Sequence, residues 1–188
     1  MSEMKIEKVL TYMSRMKREL IETVKTKSKK ESRKAIGLEV EGLDPQNPKT
    51  WLTPGDMLTA YKVLLQNGFC PTTALIWSAS MRGSAEALVL PPRVPLEKGH
   101  EFLFGKLYMI HTEYSYGKRR RMIFAIGFVH KDRKDLRISL HCNGIITFDK
   151  DPEKVTEDEH NLVWKIAEKI EEEIRKYRRG EIDVPTRI

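Results

Sequence analysis

The chain predicts an α+β fold: an antiparallel meander sheet of about four strands packed with an amphipathic N-terminal helix, a central helix and a C-terminal helix. Three observations lead there. Capped helix signals stand at 51–68 and 156–179. Between them, over 101–149, apolar residues alternate and are broken by turn residues. Ahead of both lies a stripe of apolar residues at three- and four-residue steps.

The first element expected is a helix from about Glu3 to Arg33. Ile6, Val9, Leu10, Met13, Met16, Leu20, Ile21 and Val24 form its apolar face, and a Lys-rich run, Lys25 to Lys34, follows. Residues 1–36 therefore read as a basic helical arm and 37–188 as the α+β domain. Gly37, Gly42, Pro45 and Pro48 mark a connecting loop. Thr53 is then a suitable N-cap, Pro54 suits the first helical position, and Asp56 stands three residues after the cap. Asn67-Gly68 ends that helix. Residues 71–90 fit either a short helix or a hairpin. As a second helix, Thr72 to Met81 would complete a helix-turn-helix with the first, although it is apolar where a reading helix is polar.

In the meander, Phe102, Phe104, Tyr108 and Ile110 alternate along the first expected strand, and Met122, Phe124, Ile126 and Phe128 along the second. Leu136, Ile138, Leu140 and Cys142 form the third, and Ile145 to Phe148 the fourth. Ser115-Tyr116-Gly117-Lys118, Asp132 to Asp135 and Asn143-Gly144 are the turns, the last because both its residues accept positive φ. Leu103, Leu107 and Met109 would face away from Phe104 and Tyr108, so both sheet faces need a cover, from the arm or from a partner chain. Thr156 and Glu159 form a capping box for the last helix. Its acids crowd the start and its Arg and Lys residues the end, as the helix dipole favours.

Composition bounds the function. A 40% hydrophobic content suffices for an ordinary core and argues against disorder throughout. Charged residues reach 32% and Gln occurs only at Gln46 and Gln66, a thermophile-like bias. Two cysteines, Cys70 and Cys142, without a CxxC, are too few for a cysteine-built zinc site. The apolar runs are too short to span a bilayer and no apolar leader core is present, so no membrane is expected and the cytoplasm is the default.

The net charge of +7 is unevenly spread. Residues 1–36 hold eleven Lys/Arg against five acids and residues 98–137 hold ten against four, whereas residues 149–181 are net acidic. Two basic zones of this kind attract a polyanion. We expect a nucleic-acid-binding protein, of DNA or RNA, without catalytic activity. Lys27, Lys29, Lys30 and Arg33 on the arm and Lys118, Arg119, Arg120 and Arg121 on a hairpin tip would meet phosphates. Tyr114 and Tyr116 would stack on bases. Arg133 and Lys134, with Arg137, would extend the hairpin's basic surface.

Two other classes compete. The arm's stripe and the acidic last helix would serve an assembly module, a homodimer or larger homo-oligomer. His111 with Glu113, His130 with Asp132, and His141 with Asp149 are the metal-ligand types of a metal-dependent phosphodiesterase. No HExxH, P-loop or GxSxG motif accompanies them, and alternate strand positions carry such polar residues for solubility alone. No catalytic residue, metal site or cofactor is therefore assigned from the sequence.

Overall fold

The computed structural model describes residues 35–78, 84–115 and 121–188. Over them the chain runs β1 (Ala35–Gly37), α1 (Pro54–Gln66), β2 (Phe69–Ser78), β3 (Ser84–Val89), α2 (Leu96–Ser115), β4 (Arg121–His130), β5 (Arg137–His141), β6 (Ile145–Phe148) and α3 (Glu157–Arg178), with two short 3-10 turns. The expected α+β class holds. The strands form one six-stranded sheet in the order β1-β6-β5-β4-β2-β3, every neighbouring pair antiparallel. The expected helix over 3–33 lies outside the described residues. Ala35 and Ile36 belong to the sheet, so the folded unit begins inside the span first read as arm.

Both capped helices form as the sequence implies. Thr53 accepts from the Asp56 N–H while Asp56 accepts from the Thr53 N–H, and Thr156 and Glu159 repeat the arrangement. Gly68 follows α1 at φ 89° and Gly180 follows α3 at φ 75°, the left-handed geometry that closes a helix.

Residues 101–115 are the main correction. They belong to helix α2 and not to a first meander strand. Leu103, Phe104, Leu107 and Ile110 recur at helical spacing and are all buried, whereas Phe102, which the alternation placed inside, is half exposed. The alternation was a chance sampling of a 3.6-residue period. A run of twenty residues also exceeds the length of an ordinary strand.

Residues 71–90 resolve as a hairpin, β2 with β3, so the second element of the supposed helix-turn-helix is a strand. Thr, Ile and Trp side chains on β2, an extended segment between two other strands, explain the choice. The ladder between β2 and β4 skips Thr72 and Phe124. At the second bulge Ile123 and Phe124 are both buried, which plain alternation forbids.

All three helices cover the same sheet face. Tyr61 of α1 packs between Phe104 of α2 and Phe128 of β4, with ring centroids 5.5 and 5.7 Å away, and its hydroxyl donates to the His100 carbonyl. Phe148 of β6 stacks on His160 of α3. Arg178, near the end of α3, clamps Asp56 in the first turn of α1 through two hydrogen bonds. Among the described residues no helix is long and apolar enough to cross a membrane.

Candidate nucleic-acid interface

The two ends of the sheet carry different groups, and strand direction assigns them. One end holds Arg121, Ser78 and Ser84, which lie level across β4, β2 and β3. The other holds His130 opposite Phe69, the β4–β5 turn (residues 131–136), and Arg137. The nine steps of β4 separate Arg121 from His130 by roughly 30 Å at about 3.3 Å per residue.

The turn end is cationic. Lys131, Arg133, Lys134 and Arg137 are all exposed. The ion pairs among the described residues engage Arg121, Lys150, Arg175, Lys176, Arg178 and Arg179, and none engages those four. One of the turn's two acids, Asp135, faces Lys150 at 3.6 Å. Asp149, beside Arg137, accepts from the Ser139 hydroxyl at 2.9 Å. Acids at the start of α3 flank the same end, so the cationic rim is bounded on its helix side.

His130 anchors the turn. Its Nδ1 accepts the Asp132 N–H at 3.2 Å. Burial lowers its pKa; Asp132 opposes that shift, and Arg133 and Lys131 reinforce it. The imidazole is thus a neutral structural acceptor that shapes the turn presenting the cations.

The arm joins this same end. Ala35 pairs with Thr147 and Gly37 with Ile145, so β1 runs away from the turn. Asp149 donates its N–H to the Arg137 carbonyl, which puts β6's exit level with the start of β5. β1 and β5 are two strands apart, about 10 Å. Lys27, Lys29, Lys30 and Arg33 themselves lie outside the described residues.

The opposite end corrects the expected hairpin. Tyr114 is in the last turn of α2, exposed, and Arg121 opens β4, so 114–121 is a helix-to-strand connection. Tyr116, Lys118, Arg119 and Arg120 lie outside the described residues. Arg121 is paired with Glu86, a partner that sequence reasoning missed because β3 was not assigned. The pair borders a cavity of about 220 Å³ between α2 and the sheet, lined also by Ile76, Leu88, Lys106 and Glu113. Arg133 and Lys134 therefore do not extend a surface at Arg121. They sit at the far end of β4, with Lys131, which sequence reasoning also missed.

The supposed ligand pairs rearrange. His111 and Glu113 are two residues apart on a helix, where they diverge by roughly 200°, and not on one strand face. Burial pushes the His111 pKa down. His141 Nε2 meets the Thr147 hydroxyl at 3.0 Å, and Asp149 is taken up by Ser139. Among the described residues no group of three or more His, Cys, Asp or Glu side chains could hold a metal. No protein-family model, curated protein or solved structure matches this chain.

Proposed function

We propose that this protein binds the phosphate backbone of a nucleic acid along the cationic rim at the turn end of the sheet, without needing a catalytic site. One observation carries the reading: the β1–β6 register starts β1, the strand that follows the Lys-rich stretch in sequence, at the same end of the sheet as Lys131, Arg133, Lys134 and Arg137, four exposed cations in no ion pair among the described residues. The basic stretch that precedes Ala35 and the turn cations, about a hundred residues apart in sequence, are thereby both joined to one end of the sheet. Elsewhere on the described surface, Arg121, Lys150, Arg175, Lys176, Arg178 and Arg179 are paired with carboxylates of the same chain. The Tyr114–Arg121 connection supplies a second contact. Being about 30 Å away, it is reached only by a nucleic acid longer than about nine base pairs, at 3.4 Å each.

The test is fluorescence anisotropy with labelled single- and double-stranded DNA and RNA across a range of salt. Each phosphate neutralised on a duplex contributes about −0.9 to the log–log slope. The rim's four cations predict a slope of about −4, steeper where the arm joins. Arg133→Ala/Lys134→Ala/Arg137→Ala should flatten the slope by about 3 on duplexes of any length. Arg119→Ala/Arg120→Ala should matter only on the longer ones. Absence of binding at low salt, or binding untouched by the rim variant, refutes the proposal.

A further inference from the structure

The sheet is bounded by β1 on one side and β3 on the other, and the two strands differ. β1 has three residues. β3 has six, and its pairing with β2 runs without a bulge. Leu90 donates its N–H to the Thr72 carbonyl, one step beyond the Thr73–Val89 pair. Antiparallel bonds fall on alternate residues, so Leu88 and Glu86 also turn their backbone groups to β2. Ala85, Ala87 and Val89 therefore turn theirs outward, to an edge that no other described strand pairs with. All three are exposed, Val89 by 59%. Sheet edges are ordinarily guarded by Lys, Pro, a bulge or shortness. β3 has none of these, and its one charged side chain, Glu86, lies on the helix side, paired with Arg121.

Helix α2 overhangs this edge. Phe102, Lys106, Met109 and Glu113 follow one another at steps of four, three and four, so they share one flank of the helix. That flank faces away from α1, whose Tyr61 meets Phe104. Lys106, Met109 and Glu113 line the cavity together with Glu86 and Leu88 of β3. Phe102 and Met109 are 48% and 58% exposed.

We propose that the β3 edge and the α2 flank form the interface of a two-fold dimer, in which β3 pairs antiparallel with β3 of a second copy. The axis passes through Ala87. Ala87 then faces its own counterpart, and Val89 faces Ala85 of the other copy, large against small. The three outward residues of each strand exchange about six backbone hydrogen bonds. The cavity sets Ala87 level with the middle of the stretch from Lys106 to Glu113. The same axis therefore runs α2 antiparallel to its copy and brings Lys106 of each helix to Glu113 of the other. This self-complementarity selects the occupant. An extended peptide would satisfy the strand edge but leave Phe102 and Met109 in water, whereas a second copy covers both. The inference stands apart from the nucleic-acid reading, since it uses none of the turn cations.

The experiment is sedimentation equilibrium of the full chain without nucleic acid, from low micromolar to several hundred micromolar. The mass should rise from that of one chain towards that of two. Ala87→Pro removes an outward N–H that takes no part in the β2–β3 ladder, so it spares the fold and should weaken the dimer at least about tenfold. Met109→Glu should do the same through the helix flank, by a like-charge contact across the axis. Where circular dichroism shows that Ala87→Pro has unfolded, Ala87→Lys decides instead. A short bis-maleimide tests the register. Ala87→Cys should join two copies, its Cα atoms being about 5.5 Å apart, whereas Val89→Cys, about 14 Å from its counterpart, should join them at least about tenfold more slowly. Cys70 and Cys142 are buried and stay out of the reaction. A monomer at every concentration overturns the proposal. So does a dimer that neither Ala87→Pro nor Met109→Glu weakens, or crosslinking as fast at Val89→Cys as at Ala87→Cys, either of which would place the contact elsewhere.

Discussion

Replacing Arg178 by Met should cost about 2 kcal/mol, and the structure supplies each part of that figure. Asp56 is 1% exposed and carries two duties. Its carboxylate caps α1 by accepting the Thr53 N–H at 2.9 Å, and it accepts Arg178 Nε and Nη2 at 3.1 and 2.8 Å. Met keeps much of the aliphatic stem and removes only the guanidinium. The carboxylate is then left buried with the Thr53 N–H and the helix N-terminus. Removing one member of a buried pair costs about 3–5 kcal/mol. Arg178 itself is a third exposed, so water screens the pair and roughly half that range applies. For a chain of this size the melting temperature should fall by about 4–8 °C. Denaturant melts followed by circular dichroism give the free energy, and a cycle with Asp56→Asn isolates the pair. A loss below about 0.5 kcal/mol, or a coupling below that value, would show that the clamp between α1 and α3 does not hold them together.

Two further outcomes follow from the same packing. Gly55→Ala should destabilise by about 1–2 kcal/mol, although Ala is the better helix former, because its methyl would run into the Tyr177 ring and hydroxyl. In a Tyr177→Ala background the substitution should become neutral or stabilising, and chemical denaturation of the four chains decides. Glu159 supplies a pH dependence. Burial would raise its pKa, but hydrogen bonds from Lys150 and Thr156 and the Lys150 charge win and hold it below the ordinary 4.5. A depressed carboxyl stabilises the fold fully above its unfolded value and loses that contribution as pH falls through the folded one. Lys150→Met should therefore weaken the protein at pH 7 and shrink the loss of stability below pH 4.5; an acid limb identical in the two proteins would refute the assignment.

What could be read in advance was local. The caps at Thr53 and Thr156 are short-range hydrogen bonds between residues three apart, and both formed as written. The β5–β6 turn also fell at Asn143-Gly144, with Gly144 at φ 87° and the Asn143 side-chain Oδ1 accepting the Ile145 N–H, although Cys142 joins the turn and leaves β5 at His141. The failures came where one stretch satisfies two periods. Residues 102–110 offer apolar side chains both at alternate positions and at helical steps, and contact with Tyr61 and the sheet selects the helix. The hairpin of β2 and β3 depends on its place beside β4, a long-range pairing that leaves no local mark.

The charge pattern shows the same limit from the functional side. Counted along the chain, Lys98 to Arg137 is a single basic zone. Folded, it is divided by β4, whose ten residues carry Arg121 to one end of the sheet and Lys131 to Arg137 to the other. Arg121 meets Glu86, whereas the cations from Lys131 to Arg137 find no carboxylate partner among the described ion pairs. Proximity is then set by strand register. Ala35, far from Arg133 in sequence, starts a strand two places from that of Arg137, while Arg121, only twelve residues away from Arg133, is about 30 Å off. A polyanion reads surface potential and not sequence order. On the proposed nucleic-acid reading, the turn rim and Arg121 are then separate contacts, joined only by a nucleic acid long enough to span about 30 Å.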